Sequence, residues 1–114
     1  MLCDGRDILG VAVAIEGVEP TYKEIYGGCW GGDMPYITVH RAGVAEAARG
    51  KGCGRALMAG VEALCACRGI RCIRVDTHRE NRPMRTMLEG CGFTCRGAIF
   101  LADMQERVAY DKLL

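Results

Sequence analysis

A segment with helical periodicity lies between two short β-type runs, and this order limits the possible folds more than any other feature of the sequence. Residues 54–68 carry large apolar side chains at helical spacing on Leu57, Met58, Val61, Leu64 and Cys65. The runs at 36–44 and 72–76 are rich in β-branched and apolar residues, which is typical of buried strands. The sequence therefore predicts a strand–helix–strand unit of the α/β kind.

The remaining segments extend this unit into a mixed sheet with flanking helices. Residues 8–16 form another β-branched apolar run, and 81–89 have the features of a second helix. Two further strands are expected at 93–101 and 107–114, where their adjacency suggests a hairpin. Because no repeat or linker interrupts the chain, we expect residues 1–114 to form a single domain.

The charge balance excludes several classes of function. Fifteen Lys and Arg residues face fourteen Asp and Glu residues, which leaves a formal net charge of +1. Proteins that bind nucleic acids or membrane surfaces usually carry a larger basic field, so neither partner is expected. No apolar run approaches the roughly 18 residues of a membrane span, and the charged N-terminus does not resemble a signal peptide. These features favour a cytoplasmic location.

Cysteine is unusually frequent, with eight residues in 114. Cys65, Cys67 and Cys72 lie in apolar periodic segments, where they predict small core-filling side chains. The sequence contains no Cys-x-x-Cys pair, and both histidines lie away from any cysteine cluster. We therefore expect no metal and no disulfide framework, although a thiol-based metal or redox protein remains a third, remote hypothesis.

A glycine-rich turn separates the strand at 36–44 from the helix at 54–68. It consists of Arg49, Gly50, Lys51, Gly52, Cys53 and Gly54. Glycines let a ligand approach the main chain, and the helix that follows presents unpaired N–H groups and the positive end of its dipole. With two cationic side chains added, the turn predicts a pyrophosphate cradle made mainly of backbone. Packing alone can also explain glycines before a helix.

Two common phosphate-binding motifs do not fit this turn. A P-loop requires Ser or Thr directly after its Lys, and none follows Lys51 in that register. The dinucleotide fingerprint requires glycines offset by two and then three residues, whereas Gly50, Gly52 and Gly54 are spaced by two and two. Both motifs are rejected.

The pattern that fits is Arg/Gln-x-x-Gly-x-Gly/Ala, and with it the sequence resembles the GCN5-related N-acetyltransferase superfamily. Val44 stands five residues before Arg49, as the strand residue of that family does. Asn81 is followed eleven and twelve residues later by Gly92 and Phe93, a spacing similar to the family's second acetyl-CoA motif. The resemblance covers roughly residues 8–114, and its other matching segments are 30, 36–41, 76–78 and 107–110.

The resemblance implies an acyl-CoA N-acyltransferase fold in which two parallel strands splay apart around the pantetheine arm. Backbone groups of Ala42 and Val44 would pair with that arm, amides of 49–54 would hold the pyrophosphate, and Asn81 would contact the arm near its thiol end. The implied activity is transfer of an acetyl group from acetyl-CoA, as co-substrate, to a primary amine of a small molecule or peptide. The amine would attack directly, with a backbone amide near Val44 polarising the carbonyl.

The sequence departs from the family pattern in two places. Leu88 stands where many relatives have a tyrosine that protonates the leaving thiolate. Either another group or water would supply that proton, or protonation of the thiolate contributes little to the rate. Full-length relatives also place a strand and two helices before the strand at 8–16, which the expected fold lacks. We expect the apolar surface left uncovered to be buried in a homodimer. A catalytically inactive, oligomeric acyl-CoA-binding remnant is the alternative.

The candidate general base is His40. Strand alternation predicts that it shares a face with Thr38, Ala42 and Val44. An unperturbed imidazole pKa of about 6.5 suits removal of a proton from an ammonium group at neutral pH. A histidine that is hydrogen-bonded inside the sheet is the other interpretation, and both remain open.

Three further residues carry side chains that could take part in catalysis. Glu46 is a second candidate base, although a carboxylate at this position could simply be solvated. Cys53 lies at a helix N-terminus, where a thiol pKa can fall, but relatives have an apolar side chain there and packing is favoured. Tyr110 is expected in the core rather than in catalysis.

Overall fold

The structure is a computed structural model that describes residues 2–4, 7–44 and 53–114, with side chains described over 14–39 and 54–114. The elements in chain order are β1 (Leu2–Asp4), β2 (Asp7–Glu16), β3 (Ile37–Val44), α1 (Cys53–Arg68), β4 (Cys72–Thr77), α2 (Arg82–Gly90), β5 (Thr94–Phe100) and β6 (Glu106–Leu113). Every helix and strand expected from the sequence is present, with its ends within one residue of the expected ones. The three-residue strand β1 was not expected.

The six strands form one mixed sheet in the order β1-β2-β3-β4-β6-β5. β3 and β4 pair in parallel, and every other neighbouring pair is antiparallel. Helix α1 connects the two parallel strands, as the sequence predicts for an α/β unit. The expected mixed sheet with flanking helices is confirmed.

Both helices pack on the same face of the sheet, which we call the helix face. Alternate residues of β3 and β4, Ile37, Val39, Ile73 and Val75, meet apolar side chains of α1 and α2 there. The buried residues contributed by the helices are Met58, Val61, Cys65 and Leu88. This apolar layer explains why the 3.6-residue periodicity of α1 was so regular in the sequence.

The segment 17–36 covers the opposite face, which we call the loop face. Its aromatic residues Tyr22 and Tyr36 pack against Cys72, Ile99 and Ala109 of the last three strands. A single 3-10 turn at Pro20–Tyr22 brings Tyr22 onto the sheet, where it is 2% exposed. A loop rather than a helix therefore closes the loop face over these strands.

Local signals explain where the helices begin and end. Gly69 follows α1 with a φ of +68°, a left-handed conformation that glycine adopts without strain, so the C-terminal cap expected there is confirmed. The N-cap of α2 is Asn81. Over the ranges that the structure describes, no helix is long and apolar enough to cross a membrane.

Candidate functional site

Strands β3 and β4 pair over only part of their length. The parallel pairing runs from Ile37 opposite Ile73 to Val39 opposite Val75, whereas β3 itself continues to Val44. The two strands therefore stop pairing after Val39. The splay that the resemblance implies begins at this point, in the middle of the sheet.

The register of β3 against β2 contains an irregularity at the same position. Val11 lies opposite Gly43, but Val13 lies opposite His40, so β3 carries one more residue than β2 between these pairs. An extra residue of this kind is a β-bulge, which interrupts the strict alternation of a strand. The shared face expected for Thr38, His40, Ala42 and Val44 assumes unbroken alternation, and the side chains of residues 40–44 lie outside the described ones, so this assignment stays a prediction.

The structure describes some of the expected catalytic and cofactor-binding residues and not others. His40, Ala42 and Val44 belong to β3, with His40 paired to Val13 and Val44 paired to Gly10 through the backbone. Cys53 is the first residue of α1. Outside the described residues lie Arg49, Gly50, Lys51, Gly52 and the second candidate base Glu46. The roles assigned to all of these residues stay predictions.

Gly54 lies in the first turn of α1, close to α2. A Cβ atom at this position would approach Cγ of Met87 to 3.0 Å and its Cε to 3.5 Å. The two helices therefore come together where a larger side chain would push Met87 aside. Close helix packing is sufficient reason for glycine at 54, and a role in binding pyrophosphate stays a prediction.

Asn81 is positioned by its capping interaction. Its Oδ1 accepts a hydrogen bond from the backbone N–H of Met84 at 3.3 Å, which satisfies one unpaired donor at the start of α2. The residue is exposed and lies just beyond the end of β4. A contact between Asn81 and the pantetheine arm stays a prediction.

Two buried residues have structural roles. Leu88 is fully buried in the helix-face core and offers no proton donor. Tyr110 is also fully buried, and its hydroxyl accepts a hydrogen bond from Nε of Arg85 at 2.9 Å. The expectation that Tyr110 belongs to the core is confirmed.

A polar group that sequence reasoning missed lies on the loop face at the end of β4. The Tyr22 hydroxyl donates a hydrogen bond to Oδ1 of Asp76 at 2.6 Å, and Nη1 of Arg107 lies 3.6 Å from Oδ2. Burial, and then the nearby Asp76 carboxylate, raise the pKa of Tyr22, so this phenol keeps its proton and acts as a donor. The alternation of β4 from Cys72 to Asp76 could have placed Asp76 on this face.

An arginine on β4 fixes the loop above this polar group. The guanidinium of Arg74 lies between two aromatic rings, 4.3 Å from the centre of Trp30 and 4.1 Å from that of Tyr36. It also donates to the carbonyl of Gly32 at 2.8 Å. Since Arg74 is 6% exposed, these contacts replace part of the hydration that its charge has lost, and its Nε is buried without a hydrogen-bond partner among the described residues.

A second anchor joins the same loop to β6. The carboxylate of Asp111 is fully buried, and it accepts hydrogen bonds from Nε of Arg96 and from the backbone N–H of Gly31, each at 2.7 Å. One oxygen is used for each donor, so the buried charge is compensated. The segment 17–36 is thus held to the sheet by polar contacts as well as by its aromatic rings.

The six cysteines whose side chains the structure describes are all free thiols. Cys65 and Cys72 are buried, as expected for core-filling residues, but Cys67 is exposed, so the expectation for that residue is wrong. Position 67 lies on the outer side of α1, two residues after the inward-facing Cys65. Among the residues that the structure describes, no three His, Cys, Asp or Glu side chains are grouped to hold a metal ion.

Comparisons with known proteins identify the family that this architecture resembles. The model of the acetyltransferase (GNAT) family matches residues 3–93. The match includes the parting strands, the glycine-rich turn and α1. A comparison with curated proteins gave no significant match.

Solved structures with the same fold include three acetyltransferases. A GNAT-family acetyltransferase from Streptococcus agalactiae is 30% identical with a TM-score of 0.80, over 93% of this chain and 59% of that one. IAA acetyltransferase from Bacillus cereus is 17% identical with a TM-score of 0.75, over 98% of this chain and 74% of that one. NAA60 from Arabidopsis thaliana, solved with acetyl-CoA, is 16% identical with a TM-score of 0.73, over 96% of this chain and 67% of that one. The chain thus spans 59% of the length of the streptococcal protein.

Proposed function

Because the chain belongs to the acetyltransferase (GNAT) family, we propose that it transfers the acetyl group of acetyl-CoA to a primary amine of a small molecule or peptide. The observation that carries the proposal is the end of β3–β4 pairing at Val39, next to a bulge in β3. Backbone groups of β3 beyond Val39 are thereby released from β4, and they are free to pair with an extended ligand.

The chain's own backbone would then hold acetyl-CoA. Strand residues Ala42 and Val44 would pair with the pantetheine arm, and the amides of residues 49–54 would bind the pyrophosphate at the start of α1. Asn81 would contact the arm near its thiol end. No metal is required by this arrangement, since N–H groups and a helix dipole supply the positive potential.

The proposed chemistry is direct attack of a neutral amine on the thioester. The C–N bond forms as the C–S bond breaks, and a backbone amide near Val44 stabilises the charge on the carbonyl oxygen. His40 is the proposed base that accepts the proton of the ammonium group, and Glu46 is the second candidate. Because Leu88 cannot donate a proton, water or another group protonates the thiolate if protonation is needed.

Single-turnover thiol release tests the proposal. Acetyl-CoA is mixed with excess protein and a panel of primary amines, and we expect free thiol to appear only when a suitable amine is present. Gly52→Val should abolish CoA binding in calorimetry while the circular dichroism spectrum is retained, because a side chain would obstruct the cradle. Unchanged CoA affinity in the folded variant would remove the assignment of the turn. CoA binding without thiol release for any amine would instead favour the non-catalytic binding module.

Location and assembly belong to the same proposal. We place the protein in the cytoplasm as a single-domain homodimer, without a nucleic-acid or membrane partner. Ile15, near the end of β2, and Val18, two residues beyond it, are 50% and 70% exposed, and a second copy would cover them. Sedimentation at micromolar concentration should give a species near twice 12.4 kDa. A folded monomer under those conditions would contradict the dimer.

A further inference from the structure

A cavity on the loop face opens beside the point where β3 and β4 part. Its volume is about 340 Å³, and its lining includes Val39, the last residue of β3 that pairs with β4. Glu19, Asp76 and Arg107 supply charged walls, and Leu101 supplies an apolar wall. The cavity is therefore large enough for a small molecule or one side chain, and it adjoins the proposed acetyl-transfer site.

The sheet register brings two opposite charges together in this cavity. Asp76 of β4 lies opposite Ala109 of β6, and Arg107 precedes Ala109 by two residues, so both charged side chains project from the loop face. Nη1 of Arg107 is 3.6 Å from Oδ2 of Asp76, which is longer than a hydrogen bond. The two groups attract each other but do not form the close, two-bond pair that arginine and carboxylate can form.

Each charge keeps capacity for another partner. The Tyr22 hydroxyl engages Oδ1 of Asp76, which orients the carboxylate and leaves Oδ2 directed to the side of Arg107. Within the described part of the chain, Nε of Arg107 is buried without a hydrogen-bond partner. A buried guanidinium nitrogen of this kind is costly unless a ligand or water compensates its charge. Glu19, which also lines the cavity, accepts hydrogen bonds from Thr21 within its own turn.

We propose that this cavity binds acceptor amines that carry a carboxylate a few bonds from the nitrogen, with free amino acids as the simplest members of the class. The ammonium group would bind Oδ2 of Asp76, and the carboxylate would bind the guanidinium of Arg107. The proposal rests on the acetyl-transfer function proposed above. A polyamine would bring a second positive charge against Arg107, although the carboxylate of Glu19 on the same lining would attract it, so polyamines are the competing acceptors that the comparison of acids with amides must separate.

The position of Asp76 also suits the reaction. The side chain of Val39 packs on the helix face, but the residue also lines the cavity and is the last of β3 to pair with β4, so a nitrogen held at Asp76 would lie beside the proposed place of the thioester. His40, the proposed base, accepts one proton of the ammonium group before the attack, and the C–N bond then forms as the C–S bond breaks. The nitrogen releases its second proton to solvent or to the departing thiolate, which gives the neutral amide and CoA. Asp76 and Arg107 act as binding residues in this scheme, and neither is required to accept the proton.

The first arm of the test compares each of the common amino acids with its own carboxamide as acceptor. For the best acceptor, kcat/KM for the free acid should exceed that for the amide by about tenfold to a hundredfold, the ratio expected from one charged hydrogen-bonded contact. Arg107→Gln should bring this ratio close to one. Arg79→Gln is the matched control, because Arg79 is an exposed arginine that pairs with Glu106 away from the cavity lining, and the ratio should not change.

The second arm measures binding of the same amino acids by calorimetry without acetyl-CoA. If amino acids bind, Arg107→Gln abolishes this binding and none is acetylated, the cavity assignment stands and the transferase proposal fails. If amines are acetylated with no preference for a carboxylate, the transferase proposal stands and the cavity assignment is overturned. Absence of both binding and preference also overturns it.

A folding defect in Arg107→Gln would not leave the question open. Arg107→Lys keeps the positive charge, so the variant should fold. It loses the planar guanidinium that can make two parallel hydrogen bonds to a carboxylate, so it should retain only part of the preference for acids. An unchanged acid-to-amide ratio in a folded Arg107→Lys protein, or loss of the ratio in Arg79→Gln, would overturn the assignment.

Discussion

The two faces of the sheet are built from different kinds of contact. The helix face joins α1 and α2 to the strands through apolar side chains such as Met58 and Leu88. On the loop face, the charged residues Arg74 and Asp111 are buried under the segment 17–36 and compensated by partners. Buried ion pairs add little stability compared with apolar packing. The helix face is therefore stabilised by apolar packing, whereas the loop face combines an aromatic cluster with polar groups held in fixed positions.

The largest effect on stability is expected on the helix face, for Leu88→Ala. Leu88 is fully buried, so the substitution removes apolar contacts and leaves a cavity. The free energy of unfolding should fall by about 4 kcal/mol, within the usual range for such changes. Urea denaturation measures the loss. The half-exposed Leu113 provides the control, since Leu113→Ala should cost far less.

Leu88→Ala also sharpens the comparison between the two faces. The acid-to-amide ratio of acetylation should be the same as in the wild type when measured on the folded protein at low temperature, because Leu88 does not line the cavity. A changed ratio would mean that the two faces are not independent.

A slightly smaller loss is expected on the loop face for Asp111→Ala. The change leaves the charge of Arg96 and the N–H of Gly31 without their partner. We expect a loss of about 3 kcal/mol, the lower end for breaking a buried pair, because Arg96 is 29% exposed. Asp111→Asn retains an acceptor for Gly31 and should lose less. Equal losses in the two variants, by urea denaturation, would show that the contact to Gly31 contributes nothing.

The smallest effect concerns the reactivity of two buried thiols. Burial raises the pKa of Cys65 on the helix face and, as the largest of several influences, that of Cys72 on the loop face. A raised pKa means less thiolate at a given pH, so at pH 8 both should react with iodoacetamide more slowly than the exposed Cys29 and Cys95. Peptide mapping after timed alkylation measures this.

Alkylation also tests whether the two faces open independently. Rapid labelling of Cys72 with protection of Cys65 would mean that the segment 17–36 leaves the sheet while the helices stay packed. Equal protection of both thiols is the result expected from the polar anchors at Arg74 and Asp111.

The helix face was largely predictable from the sequence, and the loop face was not. The periodicity of α1 and the alternation of β4 are local patterns, so a short window of sequence reveals them. The glycine turn at 49–54 also has a local pattern, and its family match covers residues 3–93. Strand β1 was not predicted from the sequence, because three residues are too few to show alternation. The strand is defined by its pairing with β2.

The grouping of the cavity residues was not predicted for a related reason. Asp76 and Arg107 come together through the register of β4 against β6, which the sequence of neither strand specifies. The bulge after His40 is likewise visible only in the register of β3 against β2, so the sequence of β3 alone could not have predicted it. Gly54 had two possible roles, and only the closeness of Met87 revealed the packing one.

Single-turnover mass spectrometry tests the central claim, direct acetyl transfer at the parting of β3 and β4. The protein is mixed with acetyl-CoA and an accepted amine, and the masses of the amine product and of the intact protein are followed together. Direct transfer predicts that the N-acetylated product appears in step with free CoA while the mass of the protein stays unchanged, and that Gly52→Val gives neither product nor free CoA. An acetyl group that first accumulates on one of the eight cysteines, or CoA release without an acetylated amine, would contradict the account.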